Sequence, residues 1–149
     1  MAANIFPIFS RTPKTGVAGS VIGPTANTAT DGTGSAMTQI FVADATEGSF
    51  IHKVILRPVA SPAATVARLW LLRATGAFTA GTTNTAANTG LIGEIGLPAV
   101  TVSQVNASFP FEIPVGFAIE PGYSLLMSFG TSTGAAGNGY NPVTIAGAY

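Results

Sequence analysis

The sequence has few charged residues. Six are basic and six acidic among 149, which is 8% of the chain, whereas soluble domains usually carry about 25%. The two signs cancel, so the chain has no basic excess to neutralise phosphates, and we expect no nucleic-acid partner. Hydrophobic residues make up 47% of the chain, and the mean hydropathy is +0.47. A folded chain of this composition has few surface charges to keep it monomeric, so we expect other subunits to cover much of its surface.

Cysteine is absent, and His52 is the single histidine. Disulfides and thiolate metal sites are therefore excluded, and one imidazole is too few for a zinc site. Asp44 and Glu47 are close enough to share a loop, but their spacing is not that of an EF-hand, and we interpret them as part of a solvated turn. We predict no metal site and no cofactor.

Long hydrophobic runs are also absent. A membrane span needs about 20 consecutive apolar residues, and the richest segment, residues 50–72, is interrupted by charged residues and prolines. The first basic residues, Arg11 and Lys14, follow the early apolar residues, whereas a secretory signal places them before a longer apolar run. We expect neither a membrane partner nor a targeting signal.

The remaining pattern is typical of short β-strands between turn clusters. No stretch of ten residues shows a helical period, and strand-like segments recur at spacings of roughly 8–20 residues. The predicted strands are Val17–Ile22, Met37–Ala43, Phe50–Val59, Val66–Arg73, Leu91–Leu97, Phe109–Val115, a very short Phe117–Ile119, Tyr123–Phe129 and Val143–Ala148. These predict an all-β fold, a two-sheet antiparallel β-sandwich over residues 17–149, of which the jelly roll is the commonest eight-stranded form. We expect Val66–Arg73 to pair beside Phe50–Val59.

Residues 1–16 form a separate piece in this scheme. Four large apolar residues are followed by two basic ones: Ile5, Phe6, Ile8 and Phe9, then Arg11 and Lys14. Pro7 and Pro13 exclude a regular helix. One interpretation is a first strand against the chain's own sheet. The other is an extended arm whose apolar residues contact another subunit and whose basic residues meet carboxylates there. A frayed tail fits least, because such tails are seldom so apolar.

Trp70 is the remaining candidate for a subunit contact. In its predicted strand it shares a face with Arg68 and Leu72, while Ala67, Leu69 and Leu71 occupy the other face. Both faces are apolar, so either this is a central strand packed in its own sandwich, or one face meets a second subunit. A low-complexity loop, Thr75–Gly90, follows as an excursion from the sheet.

One catalytic pattern matches. Gly130–Gly134 satisfies the G-x-S-x-G nucleophile elbow, with Ser132 as the nucleophile. The elbow must lead into a helix, and the next residues are a poor helix start. The expected histidine must follow the serine, whereas His52 precedes it. We predict a flexible loop, no catalytic residue and no enzymatic activity.

Several runs resemble small structural proteins of tailed bacteriophages. They are Asp31–Gly34, Gln39–Val42, Gly48–Ile51, Ala64–Leu69, Ile113–Val115, Ile119–Tyr123 and Gly147–Tyr149. The resemblance covers the chain from about Pro24 to the end and excludes the arm. It implies a virion protein, made in the host cytoplasm, that decorates or cements the outer capsid surface. Its implied partners are its own copies, as a homotrimer, and the major capsid protein, whose neighbouring subunits it clamps.

Three other functions stay open. A phage tail or fibre component with a receptor-binding role is the nearest, although the chain has no shaft repeats. A carbohydrate-binding module would need exposed aromatic platforms, for which the Trp and Tyr candidates are Trp70, Tyr123, Tyr140 and Tyr149. An enzyme is the least favoured of the three.

Overall fold

The part of the chain that the structure describes folds as eight strands in two antiparallel sheets. A computed structural model describes residues 12–105 and 107–149. The strands are β1 Thr12–Val17, β2 Thr38–Val42, β3 Ser49–Val59, β4 Thr65–Leu72, β5 Thr89–Leu97, β6 Phe111–Ile119, β7 Ser124–Phe129 and β8 Gly139–Ala148. Across these ranges there is no helix capable of spanning a membrane.

The strand pairing is that of a rolled-up hairpin. The first strand pairs with the eighth, the second with the seventh, the third with the sixth and the fourth with the fifth. Sheet 1 therefore has the order β1-β8-β3-β6, and sheet 2 has the order β2-β7-β4-β5. This nested order is the double-sheet jelly roll. The predicted all-β sandwich of jelly-roll type is confirmed.

One predicted strand pairing is wrong. β3 and β4 lie in different sheets, with β8 and β6 beside β3, and β5 and β7 beside β4. The connection at residues 60–64 crosses from one sheet to the other, and Ala60 takes a positive φ of 53° there. Both strands are apolar, so their composition could not reveal this crossing.

The core lies between the two sheets. The inward residues of β3, such as Val54 and Leu56, are fully buried against residues of sheet 2 such as Leu69 and Leu125. A β-bulge between Ile51 and Lys53, where β3 has one residue more than β8, leaves His52 exposed and shifts the buried positions from Ser49 and Ile51 to Val54 and Leu56. The core sets which side chains of each sheet are left to face outward.

The first strand begins earlier than the sequence indicated. β1 starts at Thr12 and pairs along its length with β8, so residues 12–16 of the proposed arm belong to the sandwich in this chain. Within the predicted strand Val17–Ile22, Val17 ends β1 and Ile22 makes an isolated bridge to Tyr140. The other proposed arm contacts, Ile5, Phe6, Ile8, Phe9 and Arg11, lie outside the described residues.

The two segments predicted on either side of Gly116 form one strand. β6 runs through Pro114 at the edge of sheet 1. Proline has no N–H to donate, and an edge strand tolerates it because one side of that strand has no partner strand to bond. The predicted break between Val115 and Phe117 is therefore wrong, since both lie in β6.

Candidate interaction surface

The outer faces of the two sheets differ in how they are covered. On sheet 2, the chain's own segments cover a small second core made of Met37, Trp70, Leu72 and Leu126, each at most 4% exposed. Phe78, from the low-complexity loop, packs against this cluster. The Trp70 indole donates a 2.9 Å hydrogen bond to the Ser128 hydroxyl. The outer face of sheet 2 is therefore largely closed within one chain.

Hydrogen bonds hold the covering loops in place. The buried Asn84 side chain donates from Nδ2 to the carbonyls of Gly32 and Gly34, at 2.9 and 3.0 Å. Arg68, projecting from β4, donates to the carbonyl of Asn27 at 3.2 Å. Gly32 has a φ of +85°, and a Cβ there would lie 2.6 Å from the Thr89 carbonyl oxygen. The segments before β2 and after β4 are thus fastened to each other and to the sheet.

The outer face of sheet 1 is exposed by contrast, and we call it the open face. Three cross-strand rows form it: Val17, Val143, Ile55 and Glu112; Thr15, Ile145, Lys53 and Pro114; Pro13, Gly147, Phe50 and Ala118. Val17 is 61% exposed, and Phe50, Ile55, Val143 and Ile145 are half-buried. Strands about 4.8 Å apart and rows about 7 Å apart give a patch of roughly 400 Å². Apolar residues make up only part of this area, because Thr15, Lys53 and Glu112 lie within it.

The charges on the open face are few and partly neutralised. Lys53 donates to a Glu112 carboxylate oxygen at 2.8 Å, and both side chains are well exposed. Such an exposed pair contributes little stability. His52 lies edge-on to the Phe50 ring, with centroids 4.9 Å apart. The face is therefore apolar mainly on β1 and β8, while Lys53 in the middle row, Glu112 and Arg57 add charge on β3 and β6. A mixture of apolar and a few charged residues is the usual composition of non-obligate protein interfaces.

Two of the residues predicted to contact another subunit have partners within the chain. Lys14 donates to the Asp44 carboxylate at 3.1 Å. This carboxylate belongs to the same chain, whereas the arm interpretation placed the partner of Lys14 on another subunit. Trp70 is 1% exposed, as expected for a central strand packed in its own chain. What neither alternative foresaw is that the chain's own loop covers its outward side.

Hydrogen bonds to the Asp44 carboxylate hold the turn that follows β2. Asp44 Oδ1 accepts hydrogen bonds from the backbone N–H groups of Thr46 and Glu47, and Oδ2 accepts one from Lys14. These bonds, the backbone ones foremost, lower the pKa of Asp44 to about 2. Among the described residues, no three His, Cys, Asp or Glu side chains cluster as metal ligands.

The apparent nucleophile elbow is a loop with a structural serine. The Ser132 hydroxyl lies 2.6 Å from the Pro24 carbonyl, to which it donates, and it also accepts from the Gly134 N–H. Residues 130–138 form bends and a turn, with no helix. His52 contacts the Phe50 ring on the open face. The strand-to-helix geometry that exposes a catalytic serine does not occur here.

Sequence reasoning missed two exposed apolar side chains in the connection from β5 to β6. Phe109 is 86% exposed and Val105 is 90% exposed. Phe109 had been assigned to a strand, but β6 begins at Phe111. Phe109-Pro110 directly before the strand is a signal for a loop, because proline restricts the residue preceding it.

Comparisons with known proteins give distant structural likenesses. No protein-family model and no curated protein matches the sequence. A chain in the structure of infectious bursal disease virus Gt strain matches with 14% identity and a TM-score of 0.38 over 99% of this chain. A chain in the crystal structure of the T13 IBDV viral particle matches with 13% identity and a TM-score of 0.39, also over 99% of this chain. This chain spans only 38% and 35% of those two chains, and likenesses this remote transfer no function.

Proposed function

We propose that this chain is a structural virion protein that binds the outer surface of a tailed-phage capsid and clamps neighbouring capsid subunits without doing chemistry. The observation that carries the proposal is the open face, left exposed while the chain's own loops close the opposite face. The resemblance of the sequence to tailed-phage structural proteins supplies the identity of the partner.

The fold is compatible with this role and does not select it. Jelly rolls occur in viral capsid domains, lectins and cupins, and a fold alone does not determine function. A cupin-type metal site would need several ligands, and the sequence has one histidine. A lectin would use exposed tryptophan or tyrosine rings, but Trp70 and Tyr140 are 1% and 0% exposed, and Tyr123 and Tyr149 are half-buried. Protein contact is the function that the open face favours.

The size of the open face argues for several copies acting together. A stable protein interface buries about 800 Å² on each partner, roughly twice the area of the open face. One copy would therefore bind weakly through this face alone. A homotrimer would present three such faces, and their simultaneous binding would raise the overall affinity without new contacts. This supports a trimeric clamp over neighbouring subunits of the major capsid protein.

The test is binding to particles of the virus that encodes the chain, prepared without this protein. The purified chain should co-sediment with them in many copies per particle, and it should raise the temperature at which they release their genome. Ile145→Lys, which places a second lysine beside Lys53 on the open face, should weaken binding. Ala86→Lys, on an exposed loop over sheet 2, is the matched control and should bind normally.

The outcomes separate the alternatives. A few copies per particle, located at the tail, would favour the tail or fibre component. Normal binding by the Ile145→Lys variant would refute the open face as the contact. Particles that are equally robust with and without the chain would refute the clamping role.

A further inference from the structure

We infer that the copies of this protein join head to tail, with Phe109 of one copy entering a cavity on the next. The inference deepens the proposed function, because a clamp with several open faces requires copies joined by a different surface. It rests on two features at the same end of the sandwich. The exposed Phe109 side chain lies at one edge, and the cavity lies at the opposite edge.

The inserting group is the Phe109 ring. At 86% exposure, it leaves most of an aromatic ring in water, and burying such a side chain is among the largest single contributions to association. The sequence from Pro98 to Pro110 contains no ionisable residue. Docking this segment would therefore desolvate no charge of its own.

The receiving cavity lies beside β2 and has a volume of about 330 Å³. Four nearly buried apolar side chains contribute to its lining: Ile22, Met37, Met127 and Phe129. The exposed lining is polar, from Ser20, Thr25 and Ser35, with Ala36 half-buried beside them, and none of the lining residues is ionisable. The cavity volume exceeds that of an aromatic side chain, so the ring can enter with neighbouring backbone.

The placement of the two features favours a closed ring. The cavity is at the edge of sheet 2 formed by β2 and β7, whereas Phe109 lies in the connection from β5 to β6, at the opposite edge. Both are at the end of the sandwich where β2 starts and β6 starts. A contact between two different surfaces of the same chain is heterologous, and repeating it closes a ring when the rotation permits.

Analytical ultracentrifugation of the purified chain, without capsids, tests this inference. The unaltered chain should form an oligomer at micromolar concentration, expected as three copies of 15.0 kDa. Phe109→Ser removes the inserting ring, and Ala36→Arg obstructs the cavity. Each should weaken association at least about tenfold. Val42→Ser replaces an exposed apolar residue at the other end of β2, so it should assemble normally.

Mixing the two variants gives the sharpest result. Phe109→Ser keeps an intact cavity and Ala36→Arg keeps an intact ring, so the mixture should form heterodimers through one restored contact and no larger ring. A monomeric unaltered chain, normal assembly of either variant, or a mixture without heterodimers would overturn the inference. If Ala36→Arg fails to fold by circular dichroism, Thr25→Arg at the exposed rim replaces it. Capsid binding is measured separately, so failure here leaves the open face untouched.

Discussion

Asp44 holds the turn between β2 and β3 and ties it to β1. Its carboxylate accepts from two backbone N–H groups of its own turn and from Lys14. The sequence predicted a turn from the spacing of Asp44 and Glu47. It could not predict the ion pair, because Lys14 and Asp44 are 30 residues apart and meet only through the packing of β1 beside β2.

This turn predicts a pH dependence of stability. The pKa of Asp44 is lowered from 3.8 to about 2 in the folded chain, so the unfolded state binds the proton more readily. The stabilisation by this carboxylate is therefore fully present above about pH 4 and is lost as the pH falls towards 2. Thermal unfolding from pH 6 to 2 should show Asp44→Asn less stable than the unaltered chain at pH 6, with the difference shrinking as the pH falls.

Glu120→Gln is the control for that series, since it removes an exposed carboxylate outside the turn. Its unfolding temperature should stay parallel to that of the unaltered chain. A constant difference for Asp44→Asn across the whole pH range would contradict the assigned role.

Two buried threonines with opposite environments make a second residue-scale test. Thr144 and Thr133 are both 0% exposed. Thr144 Oγ1 has no hydrogen-bond partner among the described residues, whereas Thr133 Oγ1 donates to the Asn138 carbonyl at 2.7 Å. Removing an unsatisfied buried hydroxyl stabilises a protein, and removing a satisfied one costs the bond.

Thr144→Val should therefore raise the free energy of unfolding by about 1 kcal/mol, and Thr133→Val should lower it by about 1–3 kcal/mol. Denaturant unfolding measures both. Equal destabilisation by the two substitutions would show that the hydroxyl of Thr144 is satisfied in solution.

At the scale of elements, the strands were more predictable than their partners. β2, β3, β4 and β7 lie within a residue or two of the predicted bounds, because each combines β-branched or aromatic residues with flanking turn residues. The sandwich followed from their number and spacing. The assignment of β3 and β4 to different sheets depends on contacts distant in sequence, which no local pattern contains.

The loop between β4 and β5 shows what composition hides. Its residues are nearly all small and polar, yet Phe78 and Asn84 fasten it over Trp70 and the second core. The single aromatic residue in an otherwise small-residue stretch was the available signal. All six β7 residues are buried, and Leu126 on the outward side lies in the second core that the loop covers.

This covering can be measured through Trp70, the sole tryptophan. Asn84→Ala removes the side-chain bonds to Gly32 and Gly34, so the loop should loosen and acrylamide should quench the Trp70 fluorescence more strongly. The free energy of unfolding should fall by about 1–3 kcal/mol. The neighbouring substitution Thr85→Ala, at an exposed side chain, should change neither value. Unchanged quenching in Asn84→Ala would show that the loop does not shield Trp70.

At the scale of the whole molecule, the low charge has a specific distribution. One outer face is closed by the chain's own loops, and the other presents Val17, Ile55, Val143 and Ile145 with few charges around them. The sequence predicted that much of the surface would be covered. It could not indicate which face, because both β3 and β4 are apolar on their two sides.

The two proposed contacts, between copies and with the capsid, use different surfaces of the chain. One surface would join copies into a ring, and the other would place the ring on the capsid. Of the predicted arm at residues 1–16, residues 12–16 lie in β1, and contact with another chain through residues 1–11 stays a prediction. Each surface can therefore be impaired without impairing the other.

The central claim is that the open face is buried on the assembled particle, and the absence of cysteine allows a direct measurement. Val17→Cys places the sole thiol on the open face, and Ala86→Cys places it on the exposed loop over sheet 2. Both variants should react with a maleimide in the free protein. On particles, the account predicts that Cys labelling at position 17 falls at least tenfold while labelling at position 86 is unchanged. Equal labelling of the two positions on particles would contradict it.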